Sequence, residues 1–148
     1  MREFTMLKPV SVAQETIACK LEQGQVTNQT FQNAIFNSSY FISMTTDAQG
    51  VIQLFNKAAQ QMLGYTAAEV LNKLTPTDIA DRDELVVRAT ELSEEFGEII
   101  KPGFEALVFK ASRSLEDINQ LTFIRKDGSR FPAMMSVTPL RDAQDSIM

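Results

Sequence analysis

Two acidic sets invite a catalytic reading: Asp81-Arg82-Asp83-Glu84, and Glu91, Glu94 and Glu95. Carboxylates that close in sequence can hold a divalent cation or divide acid and base roles between them. Their setting points elsewhere. They fall within Asp81 to Phe96, where Leu85, Val86, Ala89, Leu92 and Phe96 recur at helical spacing. The carboxylates then read as the solvated side of a helix, with Asp81 to Glu84 suited to its N-terminus. Histidine is absent from all 148 residues. That removes the usual general base, the commonest metal ligand and the usual haem ligand together. No Ser-His or Cys-His nucleophile can be assembled, and no Cys/His zinc site. Cys19 is the single cysteine, so no internal disulfide forms, which suits a reducing compartment. There is no glycine-rich phosphate loop. No residue is assigned a catalytic role.

What remains is apolar patterning that could shape a cavity. Leu121 to Asp142 reads as two strands joined at Lys126-Asp127-Gly128-Ser129, since Asp-Gly supplies the turn conformation a hairpin needs. In the second strand Phe131, Ala133, Met135 and Val137 share one face, while Pro132, Met134, Ser136 and Thr138 share the other. A face of small and flexible apolar residues either fills a core or lines a small cavity that Met can reshape.

The elements before this hairpin follow from periodicity and breakers. Ala13, Ile17 and Leu21 mark a short helix from Ser11 to Gly24, which either packs on its own domain or carries dimerisation or signal. A second helical piece runs from Thr27 or Asn28 to Asn37. Phe41–Thr46 and Val51–Phe55 form a hairpin around Asp47-Ala48-Gln49-Gly50. Asn56 caps the helix that Gly64 ends, and Thr66 with Glu69 has capping-box spacing. After the helix at Asp81 to Phe96 comes another around Phe104, Leu107, Val108 and Ala111, followed by an exposed Glu116-Asp117. Strands at both ends with helices between predict an α+β domain, an antiparallel sheet covered by helices on one face.

The bulk composition narrows the partners. The chain is 44% hydrophobic and 22% charged, an ordinary globular balance. A net charge of −5 argues against a nucleic-acid face. No apolar run reaches the roughly 18 residues of a membrane span. The N-terminus lacks the pattern of a signal peptide, so a cytoplasmic protein is expected.

This order of elements resembles a PAS domain of bacterial sensor kinases and cyclic-nucleotide enzymes. The quotable likenesses are Thr46-Asp47-Ala48-Gln49-Gly50 with Val51-Ile52, Phe55-Asn56-Lys57-Ala58-Ala59, and Leu63-Gly64-Tyr65-Thr66-Ala67-Ala68-Glu69-Val70-Leu71. Two more are Arg125-Lys126-Asp127-Gly128-Ser129-Arg130-Phe131-Pro132 and Ser136-Val137-Thr138-Pro139-Leu140-Arg141-Asp142. The resemblance covers residues 28–148 and leaves 1–27 as an N-terminal extension with its amphipathic helix. It implies a five-stranded antiparallel sheet, flanking short helices and a cavity between them. Four strands are evident. The family's last strand, which lies between the first and fourth, would begin where the chain stops at Met148. Either the N-terminal segment around Phe4 to Val12 fills that slot, or a partner chain does, or the sequence belongs to a longer protein.

Carrying the family geometry over, the ligand-pocket candidates are Met44, Thr46, Ile52, Leu54, Phe123, Ala133, Met135 and Val137. The plainer reading is that these residues fill the core. Asn56, Gly64, Glu69, Lys126 and Gly128 are structural candidates, with Glu69 and Lys126 read either as a surface bridge or as two separate solvated charges. The light-sensing flavin relatives need a reactive cysteine after the Gly-Tyr helix, where this chain has Asn72-Lys73-Leu74-Thr75-Pro76, so cysteinyl-flavin photochemistry is not expected. The cofactor expectation is therefore an unknown small molecule or none. The resemblance implies a sensory or regulatory module of two-component or cyclic-nucleotide signalling that binds a small ligand in a cavity, or a partner, and transmits the change through its flanking segments, acting as a homodimer with an effector domain outside this sequence. The alternative is a ligand-free homodimerisation or docking module.

Overall fold

The computed structural model describes the backbone of residues 2–7, Phe36, and residues 41–140. Its strands are β1 (Arg2–Leu7), β2 (Ile42–Thr46), β3 (Ile52–Phe55), β4 (Ile118–Ile124) and β5 (Arg130–Pro139). Its α-helices are α1 (Lys57–Leu63), α2 (Ala67–Val70), α3 (Arg82–Phe96) and α4 (Phe104–Ser112), with a 3-10 turn at Pro76–Asp78. The helix expected from Ser11 lies outside the described residues. So does most of the one from Thr27, of which Phe36 is helical.

All five strands join one antiparallel sheet in the order β3-β2-β1-β5-β4. The slot beside β5 is filled by the chain's own N-terminus, as Arg2–Leu7 rather than the Phe4 to Val12 of the sequence expectation. Phe4 stands opposite Met44 on β2 and opposite Val137 on β5, and Met6 stands opposite Ile42 and Met135. Residues 2–7 thus belong to the sheet and not to a separate extension, and four evident strands become five. The reason is cooperative. A six-residue strand carries too little pattern to be read alone, yet two neighbours with unpaired backbone groups on facing sides define a site for it.

The sheet's edges are closed by side chains and loops. Beside β3, Ile52 donates its N–H to the Leu74 carbonyl at 2.9 Å, and Asn72 donates to the Ile52 carbonyl at 2.9 Å. Beside β4, Asp81 donates to the Thr122 carbonyl at 2.9 Å and Ile124 donates to the Ile79 carbonyl at 2.8 Å. The Thr122 N–H donates to a carboxylate oxygen of Glu84 at 2.6 Å. Two residues of the acidic run therefore finish a sheet edge, and edge satisfaction of this kind prevents unwanted pairing. Asp81 also caps α3 by accepting from Asp83 N–H and Glu84 N–H.

Helices α1 to α4 cover one face. Leu63, Val70, Ile79, Leu85, Leu107, Val108 and Ala111 pack with Ile42, Met44, Ile52, Leu121, Phe123, Ala133 and Met135 in one buried cluster. A second cluster, Ala89, Leu92, Ile100, Ala106 and Phe109, joins α3 to α4, with the Phe96 and Phe109 rings edge-on at 5.0 Å. Val86, placed on the apolar stripe from sequence, is half exposed, because it sits one step to the side of the Leu85-Ala89-Leu92 line that meets α4. Gly50 admits a close approach. Its φ is +89°, and a Cβ there would lie 2.7 Å from the Phe104 ring, so the β2–β3 turn seats directly on α4.

Deleting residues 2–7 is expected to abolish cooperative thermal unfolding, and Phe4→Pro to lower the midpoint clearly by removing a ladder hydrogen bond from a central strand. Circular dichroism melts check this. A truncated chain that melts like the wild type would show the strand to be dispensable.

Candidate functional site

The candidate site is the inner face of the sheet with its helical cover. Met44, Thr46, Ile52, Phe123, Ala133, Met135 and Val137 are all buried there. Leu54 is not among them: it is 45% exposed, and Phe55 is buried in its place. The cause is a register shift. Met44 opposes Phe55 and Thr46 opposes Ile52, so β3 spends one residue more than β2 between the same two rungs. Such a bulge reverses the in–out phase beyond it. Leu54, carried inside with the family geometry, therefore stands outside.

The face is not wholly apolar. Thr46 Oγ1 is buried and has no hydrogen-bond partner among the described residues. At the far end of β4 lies a polar corner that the sequence reading missed. Asp117, expected to be exposed, is 4% exposed. One of its carboxylate oxygens accepts from Arg88 Nη2 at 2.6 Å and from Asn119 Nδ2 at 3.1 Å. Arg88 Nε donates to the Ala106 carbonyl at 2.9 Å, so a single guanidinium ties α3 to α4 and to the head of β4. A signal for this corner existed. Counting back in twos from Phe123 and Leu121 reaches Asn119 and Asp117, which places both on the inward side of the strand.

A family model for the PAS domain matches residues 37–148. The chain belongs to the PAS domain family. No curated protein matches it.

The structural candidates of this PAS domain are held as follows. Asn56 binds with both ends of its amide. Its Oδ1 accepts from Ser43 N–H at 3.1 Å and from Ala59 N–H at 2.8 Å, capping α1. Its Nδ2 donates to the Phe36 and Phe41 carbonyls, each at 2.7 Å. One buried side chain thereby joins β2, α1 and the segment leading into the sheet. Gly64 ends α1 with φ 76°, and Gly128 turns the late hairpin with φ 85°. The hairpin turn docks on α1 where Lys126 N–H donates to the Leu63 carbonyl at 2.9 Å and Arg125 Nε donates to the Met62 carbonyl at 2.8 Å. Above it, Lys126 Nζ and Glu69 form an ion pair. The Lys126 ammonium, with the Thr66 N–H and hydroxyl, holds the Glu69 carboxyl down at about 2.

Among the described residues, no group of three or more acidic or cysteine side chains is placed to hold a metal ion. No described helix is long and apolar enough to cross a membrane. Clefts lined by described residues open at the surface: one of about 310 Å³ beside Arg82 and Pro102, one of about 330 Å³ beside Phe104 and Arg113, and one of about 430 Å³ beside Asp117 and Val137. Of the predicted pocket residues, only Val137 lines any of these clefts. Met44, Ile52, Phe123, Ala133 and Met135 belong to the core cluster shared with the helices.

Two measurements follow. Ile52→Ala should destabilise the domain by about 2–5 kcal/mol, as a core truncation does, whereas Leu54→Ala should cost roughly 0.5 kcal/mol or less. Equal losses in denaturant unfolding would contradict the bulge. For Glu69, the folded pKa lies below the unfolded one. Its stabilising contribution is therefore complete above about pH 4.5 and is lost as pH falls toward about 2. The stability gap between wild type and Lys126→Met should be constant above that range and close within it. A gap that persists unchanged to pH 2 would show that the pair is not its source.

Proposed function

We propose that this PAS domain is the sensory module of a bacterial signalling protein, a sensor kinase or a cyclic-nucleotide enzyme, with a small ligand held against the inner face of its sheet. PAS domains are sensory and regulatory, and catalysis would belong to an effector domain elsewhere in the protein. One observation carries the reading. β1, which lies between them, pairs with both strands that bear most of the candidate wall. Phe4 opposes Met44 and Val137, and Met6 opposes Met135. A guest that spreads or twists β2 against β5 must act on β1, and the change would pass on through the flanking segments. The effect needs only a difference in affinity between two arrangements of sheet and flank. The protein would act in the cytoplasm as a homodimer, with neither nucleic acid nor membrane as partner of this segment.

A second reading has its own support. Met44, Ile52, Phe123, Ala133 and Met135 already pack with Leu63, Leu107 and Val108. A core filled by its own side chains suits a docking or homodimerisation module that takes no ligand. Native mass spectrometry of gently purified protein separates the two. The sensory reading expects a stoichiometric small-molecule adduct, lost on denaturation, and a bare chain mass across preparations favours the docking module.

A further inference from the structure

We propose that the Asp117–Asn119 corner is a binding site for a small alkylammonium, a ligand that offers N–H donors and positive charge on a short apolar body. The proposal rests on the sensory reading and gives its ligand a chemical class and a place. Asp117 is a carboxylate whose side chain is 2% exposed. Only Oδ1 is engaged, by Arg88 and Asn119. Asp117 Oδ2 and Asn119 Oδ1 are both buried and both lack a partner among the described residues. Because Asn119 Nδ2 donates to Asp117 Oδ1 at 3.1 Å, the two orphan oxygens belong to side chains in direct contact. Buried acceptors are almost always satisfied, so a pair of them on neighbouring side chains marks the place of a missing donor.

The chemistry of that donor follows from what surrounds it. Both orphans accept and neither donates, so the group that completes them carries N–H or O–H hydrogens. A carboxylate oxygen prefers a cationic donor. Arg88, the nearest cation, is already committed to Asp117 Oδ1 and the Ala106 carbonyl, which leaves Oδ2 to a second donor. Asp117 also lines the cleft of about 430 Å³, whose other walls include Ala111, Leu115, Ile118 and Val137, with Glu116 beside them. Leu115 and Ile118 are large apolar side chains left 45% and 50% exposed, which gives a short alkyl chain a surface to lie on. Among the described residues lining the cleft there is no cation, so an anionic ligand would meet Asp117 and Glu116 with none of them to receive it.

Isothermal titration of the 148-residue chain with n-butylammonium chloride, n-butanol and sodium n-butyrate at matched ionic strength tests the site. Saturable binding of n-butylammonium and none of butyrate is expected. Asn119→Leu removes one orphan acceptor. It should weaken n-butylammonium by about tenfold or more, the loss of one hydrogen bond to a charged group, in a variant that still unfolds cooperatively. Ile118→Lys, a change at an exposed wall position, places a cation at the cleft and should weaken binding too, keeping the test open if Asn119→Leu fails to fold. No saturable n-butylammonium binding, or equal binding by wild type and the folded variants, overturns the assignment. If native mass spectrometry finds an adduct and n-butylammonium still does not bind, this site falls while the sensory reading stands.

Discussion

The structure depends on backbone hydrogen bonding across the slot between β2 and β5. Without a strand there, two rows of peptide N–H and C=O groups would face each other across a gap in the middle of a sheet. An unpaired buried backbone group costs about as much as a lost hydrogen bond. β1 satisfies both rows at once, pairing over Arg2 to Met6 with β2 and over Arg2 to Leu7 with β5. It also aligns the two halves of the domain, the β2–β3 and β4–β5 hairpins, which stand on either side of it. β1 sets the register between Met44 on β2 and Met135 and Val137 on β5.

Around that sheet, a few polar side chains decide how the helices sit. Asn56 is satisfied in both directions, accepting from two backbone N–H groups and donating to two carbonyls. Its geometry is therefore specified by four partners and not by shape alone. Arg88 plays the matching part at the other end, bridging the Ala106 carbonyl and Asp117. A buried ion pair of this kind adds little net stability over an apolar replacement, but breaking it leaves an uncompensated charge. Its use is to hold α3, α4 and β4 in one arrangement. Asp81 and Glu84 do the same for the outer edge of β4. The acidic run that first suggested solvated surface serves in part as backbone capping.

Much of this was legible in the chain. The Asp-Gly turn, the Asn56 cap, the Gly64 stop and the alternation of Phe131 to Val137 are local signals, each set by residues within a turn or two of one another. The misplacements share a cause of a different kind. Leu54, carried inside with the family geometry, stands outside because of a bulge, which is a property of the pair β2–β3 and not of β3. Asp117 read as exposed because a charged residue beside Glu116 ordinarily is, and Arg88, twenty-nine positions away in sequence, is what makes burial tolerable. Val86 looked like part of a stripe whose width only the approach of α4 defines.

By itself, then, the sequence determined the family, the order of elements, the turns and caps, and the chemistry that is absent: no histidine, one cysteine and no phosphate loop. Those properties depend on residue type and short-range spacing, where steric and hydrogen-bonding preferences act directly. Tertiary structure decided which segment enters the centre of the sheet, where the strand phase slips, which acids are buried and where, among the described residues, buried acceptors stand without donors. Each of these depends on groups far apart in the chain being brought within a few ångströms. No local pattern encodes that outcome, because the free energy that selects it comes from pairing and desolvation in the assembled fold.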